Sequence, residues 1–203
     1  MIIRPSMSGI FEKHVETPLD ISGMPTARLA YGLRLLRAAY TGAAIRVRRD
    51  SDSTEADVYF YNQKEVTLNS LTSAGSTLRD FVGSNSAFVT KWYNQSGNTS
   101  TQQGGGSWSG YPTAPDAVQT TTSRQPELIS SGVFNRGLKC VTSGGYSAAG
   151  DYLQVNSYRL PNSPDDFTLV MVCEVFDSGN ILPSSSTFNP TPRSSNQEMI
   201  SAV

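Results

Sequence analysis

Apolar and polar positions along this chain alternate in short runs, with few long helical stretches. Leu29, Leu33, Leu36 and Tyr40 recur at steps of four, three and four. That spacing predicts one amphipathic helix, entered at Pro25 or Thr26 and stopped by Gly42. Ile45-Arg46-Val47-Arg48 and Asp57-Val58-Tyr59-Phe60 then alternate with a period of two. Together they predict a β-hairpin, its connection running from Arg49 to Ala56. Facing Val47 with Val58 sets Ile45 opposite Phe60 on one side and Arg48 opposite Asp57 on the other.

A short helix or turn pair is expected between Leu68 and Phe81, ended by Gly83. Ala87 to Tyr93 reads as a buried strand. A turn-rich stretch follows from Asn94 to Arg124. Further strands are expected near Glu127–Ile129, Leu138–Thr142, Tyr152–Val155 and Phe167–Phe176. Asn135-Arg136-Gly137 reads as the tight turn before Leu138. Many short strands joined by long loops predict an all-β sandwich with one or two short helices.

Residues 1–24 stand apart, with Pro5, Gly9, Pro18 and Gly23 among mixed charges and no periodicity. They read either as a loose terminus or as an extended arm that orders against a partner subunit. At the other end, Ser184 to Asn196 is a polar linker and Met199 begins another apolar run. Residues 25–203 are therefore expected to form a sandwich left incomplete at its C-terminus, with more chain following in the native protein.

Composition narrows the possibilities. The chain has 203 residues, of which 16% are charged, with 28 Ser, 18 Thr, 17 Gly and 11 Pro. Turn-rich β structure fits that profile. A net charge of −1 gives no electrostatic footprint for nucleic acid. No apolar run approaches the roughly 20 residues of a membrane span, so no membrane insertion is expected. Two cysteines, Cys140 and Cys173, are too few for a disulfide framework and read as buried thiols. With His14 as its one histidine, the chain offers no histidine metal cluster and no nucleophile–histidine pair.

The chemistry-bearing residues are few. Asp50, Asp52, Glu55 and Asp57 are expected to pair with Arg46, Arg48 and Arg49 or to remain solvated. Their spacing lacks the central Gly and terminal Glu of a calcium loop, so no metal is assigned. Asp165 and Asp166 read as a loop entering a strand. Neither carboxylate group has a reason to hold one raised and one ordinary pKa, as a glycosidase pair requires. Gly104-Gly105-Gly106 lacks the Lys-Ser/Thr of a phosphate loop. Trp108 and Tyr111, set among Gly and Ser, are the candidate carbohydrate-binding rings.

Several stretches together carry a family likeness. They are Ala30 to Gly42 running into Ile45 to Asp52; Glu55, Asp57 and Phe60; and Val89-Thr90-Lys91-Trp92-Tyr93-Asn94-Gln95-Ser96-Gly97-Asn98. Gln125-Pro126, Gly137 to Cys140 and Asp151-Tyr152-Leu153 complete the order. This resembles the concanavalin A-like (LamG-like) jelly-roll module of phage structural and fibre proteins. It is also similar to the catalytic domain of fungal α-L-arabinofuranosidase B. The family pattern reads Trp-Tyr-Asp-Gln-Ser-Gly-Asn-Gly; here Asn94 replaces the Asp and Thr99 the last Gly. No position matches the enzyme's catalytic carboxylates, and its adjacent cysteine pair is absent.

The resemblance implies a jelly-roll β-sandwich preceded by an extended arm. It implies a non-enzymatic virion protein of a tailed phage, acting as a fibre, head-decoration or tail-associated component. Its partners would be capsid, portal or tail proteins and other copies of itself in a homo-oligomer. Ile2, Ile3, Ile10 and Phe11 would anchor the arm. No cofactor and no catalytic residue is assigned. The alternatives are a binding module for host-surface glycans and an arabinofuranosidase-like hydrolase.

Overall fold

The structure, a computed structural model, describes residues 17–23, 27, 29–97, 116–140, 150–156 and 196–201; for 156 and 196–201 it describes the backbone alone. Eight strands make one antiparallel sheet. They are β1 (Ile45–Arg49), β2 (Glu55–Val58), β3 (Ala87–Trp92), β4 (Ala117–Val118), β5 (Glu127–Ser130), β6 (Val133–Lys139), β7 (Tyr152–Asn156) and β8 (Asn196–Ser201). The main path runs β2-β1-β3-β4-β7-β8, and β5 leaves it from β3 to pair with β6. The described chain is thus all-β in character, with one α-helix of five residues and one 3-10 turn at Thr122–Arg124.

The first hairpin forms where the alternation predicted it, but in a different register. Ile45 faces Val58, Arg46 faces Asp57, Val47 faces Ala56 and Arg48 faces Glu55. Relative to the expected pairing the strands are shifted by two residues, so each side chain keeps its face. The cause is a tighter turn. The Arg49 N–H donates to the Thr54 carbonyl, and Ser53 adopts a φ of 59°.

One face of the sheet is apolar. Val58, Ile45, Ala117 and Val155 lie buried along one row, with Trp92 half-buried among them. Val47, Ala56, Ala87, Val89 and Ile129 extend the same core. The helix α1 (Leu78–Val82) contributes Leu78, Phe81 and Val82, all buried. Burying each contributes on the order of 1.5–3 kcal/mol. Five residues cannot sustain a helix alone, so its ends are capped. The Thr77 hydroxyl accepts from the Asp80 N–H, and Gly83, at φ 60°, donates its N–H to the Arg79 carbonyl. Helix α1 is the C-terminal part of the segment expected between Leu68 and Phe81; the rest is turns and isolated bridges.

Two further expectations are corrected. The described part of the helix predicted from Pro25 or Thr26 to Gly42 is an irregular extended segment instead. Its backbone groups bond to distant partners: Leu35 N–H to the Lys64 carbonyl, and Val66 N–H to the Leu33 carbonyl. The i to i−4 ladder has lost its donors to tertiary structure. Asn135-Arg136-Gly137 is not the hairpin turn. Ser131 (φ 47°) and Gly132 (φ 81°) make that turn between β5 and β6. Asn135 to Gly137 lie inside β6 where its register with β5 shifts, and Arg136 takes a φ of 59° as a bulge residue.

The fork at β3 arises because one edge serves two partners. Lys91 and Trp92 pair with β4, while Ala87 and Phe88 pair with β5. Between them the Thr90 carbonyl accepts from the Gln119 N–H, and the Val89 N–H donates to the Pro126 carbonyl.

Candidate functional site

The Trp92–Gly97 run and the Ala30–Leu36 segment come together at the end of β3. Gln95 is fully buried. Its Oε1 accepts from the Leu36 N–H at 2.8 Å. Its Nε2 donates to the Gly32 carbonyl at 2.8 Å and lies 3.3 Å from the Arg34 carbonyl. Its own N–H donates to the Ala30 carbonyl. One amide therefore bonds backbone groups along the extended segment that sequence periodicity assigned to a helix. Asn94 adds to this clasp: its Oδ1 accepts from the N–H groups of Ala30 and Ser96, each at 3.0 Å. An aspartate would satisfy the same donors, so Asn94 keeps the geometry and drops the charge. Trp92 packs on the core, its ring 6.0 Å from that of Tyr31. Gly97 sits at φ 64°, and an added Cβ would lie 3.0 Å from the Arg37 guanidinium.

On the polar face, Arg46 and Asp57 are cross-strand neighbours joined by a two-pronged ion pair at 2.7 and 3.0 Å. The Tyr93 hydroxyl donates to the same carboxylate at 2.6 Å. The Arg46 bond holds Asp57 below its ordinary pKa, with the Tyr93 bond adding to it against the opposing effect of burial. Burial, then the hydrogen bond to Asp57, pushes the Tyr93 hydroxyl up. Tyr40 donates to the Ala43 carbonyl and is pushed up to about 12, chiefly by burial and then by the charges of Asp116 and Asp57. Lys91 lies 3.9 Å from Asp116 and over the Tyr93 ring.

The expected pairing of hairpin acids with arginines is observed. Beyond Arg46–Asp57, Arg49 pairs with Asp52 at 2.5 Å, and Arg48 lies 3.7 Å from Asp50. The Arg49 bond pulls the Asp52 carboxyl well below the usual carboxylate range. Among the described residues, the Asp52 and Asp57 carboxyls both move down. Among the described residues, no group of three or more His, Cys, Asp or Glu is placed to hold a metal ion.

Periodicity did not reveal the network at the fork. Arg48 is buried, and its Nε donates to Gln125 Oε1 at 2.8 Å. Gln125 Nε2 donates to the Gln119 carbonyl, and Gln119 Nε2 to the Tyr152 carbonyl, each at 3.2 Å. The Arg48 guanidinium also lies over the Phe88 ring at 5.1 Å. The signal was an arginine in an alternating strand facing a later Gln-Pro step, which no local pattern can connect.

Cys140 is half-buried and free, its thiol pushed up to about 11 by burial and then by Asp151. Tyr59, Tyr61 and Leu71 are exposed, with the Tyr59 N–H bonded to the Leu71 carbonyl. Trp108, Tyr111, Asp165, Asp166, Cys173, His14 and the arm residues Ile2, Ile3, Ile10 and Phe11 lie outside the described residues. Among the described residues, no helix is long and apolar enough to cross a membrane. Comparison with protein-family models, curated proteins and solved structures returns no match.

Proposed function

We propose that this chain is a non-enzymatic structural protein of a tailed-phage virion, displaying a concanavalin A-like jelly-roll sandwich from an N-terminal anchoring arm. One observation carries the reading. Within the run Trp92 to Gly97, one of the stretches behind the resemblance, the Asn94 and Gln95 side chains hold backbone together, with Gln95 fully buried at the centre. A motif committed to architecture supports a scaffold more than a reaction centre. In this reading Ile2, Ile3, Ile10 and Phe11 bury against a capsid, portal or tail neighbour.

The test is incorporation into particles. Removing residues 1–16 leaves the Thr17–Gly23 segment in place and should yield a folded protein absent from purified virions. Normal incorporation of that truncation would overturn the anchoring. The exposed rings of Tyr59 and Tyr61 favour a second reading, contact with host-surface glycans. A glycan array comparing wild type, Tyr59→Ala/Tyr61→Ala and Trp108→Ala/Tyr111→Ala addresses it. No binding by the wild type would remove that reading.

A further inference from the structure

Residues 17–23 were expected to belong to the arm, yet they are tied to the folded module. The Leu19 N–H donates to the Leu36 carbonyl at 2.9 Å. The Ala38 N–H is shared between Asp20 Oδ2 at 2.6 Å and Thr17 Oγ1 at 3.1 Å. Thr17 closes the turn by donating its hydroxyl to Asp20 and accepting the Asp20 N–H at its carbonyl. The attachment is polar throughout. None of residues 17–23 is buried, Leu19 is half-buried, and Ile21 is 44% exposed. Beneath it Leu36 and Arg37 are half-buried and Ala38 is exposed, and the firm anchor lies one bond deeper. Leu36, whose carbonyl receives the strap, donates its N–H to the fully buried Gln95.

We infer that residues 17–23 form a releasable strap, which detaches from Leu36–Ala38 as a unit while the Gln95 clasp and the sheet stay intact. Segments held by exposed hydrogen bonds with little apolar burial open at lower free energy than the core they rest on. The shared Ala38 donor makes release cooperative. Losing the Asp20–Thr17 turn removes both of its acceptors together. The strap follows residues 1–16 directly in sequence. Use of the strap as the joint of an anchored arm rests on the function proposed above; the release itself does not.

Hydrogen exchange on the purified full-length chain tests this without reference to particles. The decisive comparison is between two amides of one short segment. Leu36 N–H, bonded to Gln95, should exchange with the slow amides of β1 and β3. Ala38 and Leu19 N–H should exchange at least a hundredfold faster. In Thr17→Ala/Asp20→Ala, Ala38 and Leu19 should speed up about tenfold further, with Leu36 changed less than twofold. Equal protection of Ala38 and Leu36 in the wild type would overturn the inference. So would a double variant that accelerates Leu36 and β1 as much as Ala38.

Discussion

Replacing Gln95 by alanine removes three side-chain contacts at once. The Leu36 N–H and the Gly32 carbonyl each lose a partner at 2.8 Å. Each such loss costs about 1–3 kcal/mol when the stranded group cannot reach water. Arg34 is exposed, so its carbonyl, 3.3 Å from the amide, is the least affected. The missing amide also leaves a void, worth about 1 kcal/mol. The two stranded groups and the void together come to roughly 3–7 kcal/mol, a large part of the 5–15 kcal/mol typical of a domain. At an m-value of about 2 kcal/mol/M, urea unfolding followed by tryptophan fluorescence should show a midpoint lowered by about 1.5–3.5 M.

The variant Gln95→Glu separates hydrogen bonding from packing. It keeps the acceptor for Leu36 but sets a carboxylate against the Gly32 and Arg34 carbonyls. Its folded pKa should therefore rise above the usual value of about 4.3. A raised folded pKa means stability that is present at low pH and lost as pH rises through that value. Gln95→Glu should thus approach wild type on acidification and fall away toward neutrality. A loss below about 1 kcal/mol in Gln95→Ala, or a pH-independent cost in Gln95→Glu, would refute the clasp.

Asp57 provides the opposite sign. Its pKa is depressed by Arg46 first, so its contribution is complete above the unfolded value of about 3.9 and disappears as pH falls through the folded value. Asp57→Asn should flatten the acid limb of the stability profile, and an unchanged limb would count against the ion pair. Gly132 and Gly75 share a φ of 81°, but a Cβ at Gly132 meets the Gly83 carbonyl at 3.0 Å while Gly75 faces open space. Both alanine variants should lose about 1–2 kcal/mol to backbone strain, with Gly132→Ala losing clearly more. Equal losses would show that the close approach is harmless. In a Cys173→Ser background, Cys140 should react with iodoacetamide at pH 8 about a hundredfold more slowly in the native state than in urea, since its thiol is pushed up to about 11. Equal rates would show that its burial does not hold in solution.

Local pattern revealed the strands better than their connections. The alternation in β1 and β2 and the apolar run of β3 reflect side chains meeting one core, which short sequence windows report. The register of the first hairpin escaped because two apolar pairings fit the same faces, and only the Arg49–Thr54 turn bond chooses between them. The Leu29–Tyr40 periodicity misled for a related reason. Its spacing is helical, but Gln95 and the Lys64–Val66 segment bind the backbone groups a helix needs. Asn135-Arg136-Gly137 has turn composition and does hold a left-handed residue, but the bulge uses it, while the plainer Ser131-Gly132 makes the turn. The ion pairs of the hairpin acids were legible because both partners lie within the same hairpin.

The fork at β3 bears on the order in which the molecule assembles. The β1–β2 and β5–β6 hairpins join near neighbours in sequence and can form early. Neither branch of the fork can register until β3 is seated, because both β4 and β5 read their alignment from its single edge. Thr90 lies between the two alignments, and its carbonyl takes the Gln119 N–H where a continuous ladder would have placed another strand. Folding should therefore stall or proceed on the docking of one strand, with slow refolding in variants that weaken β3 and near-normal refolding in those that weaken β6.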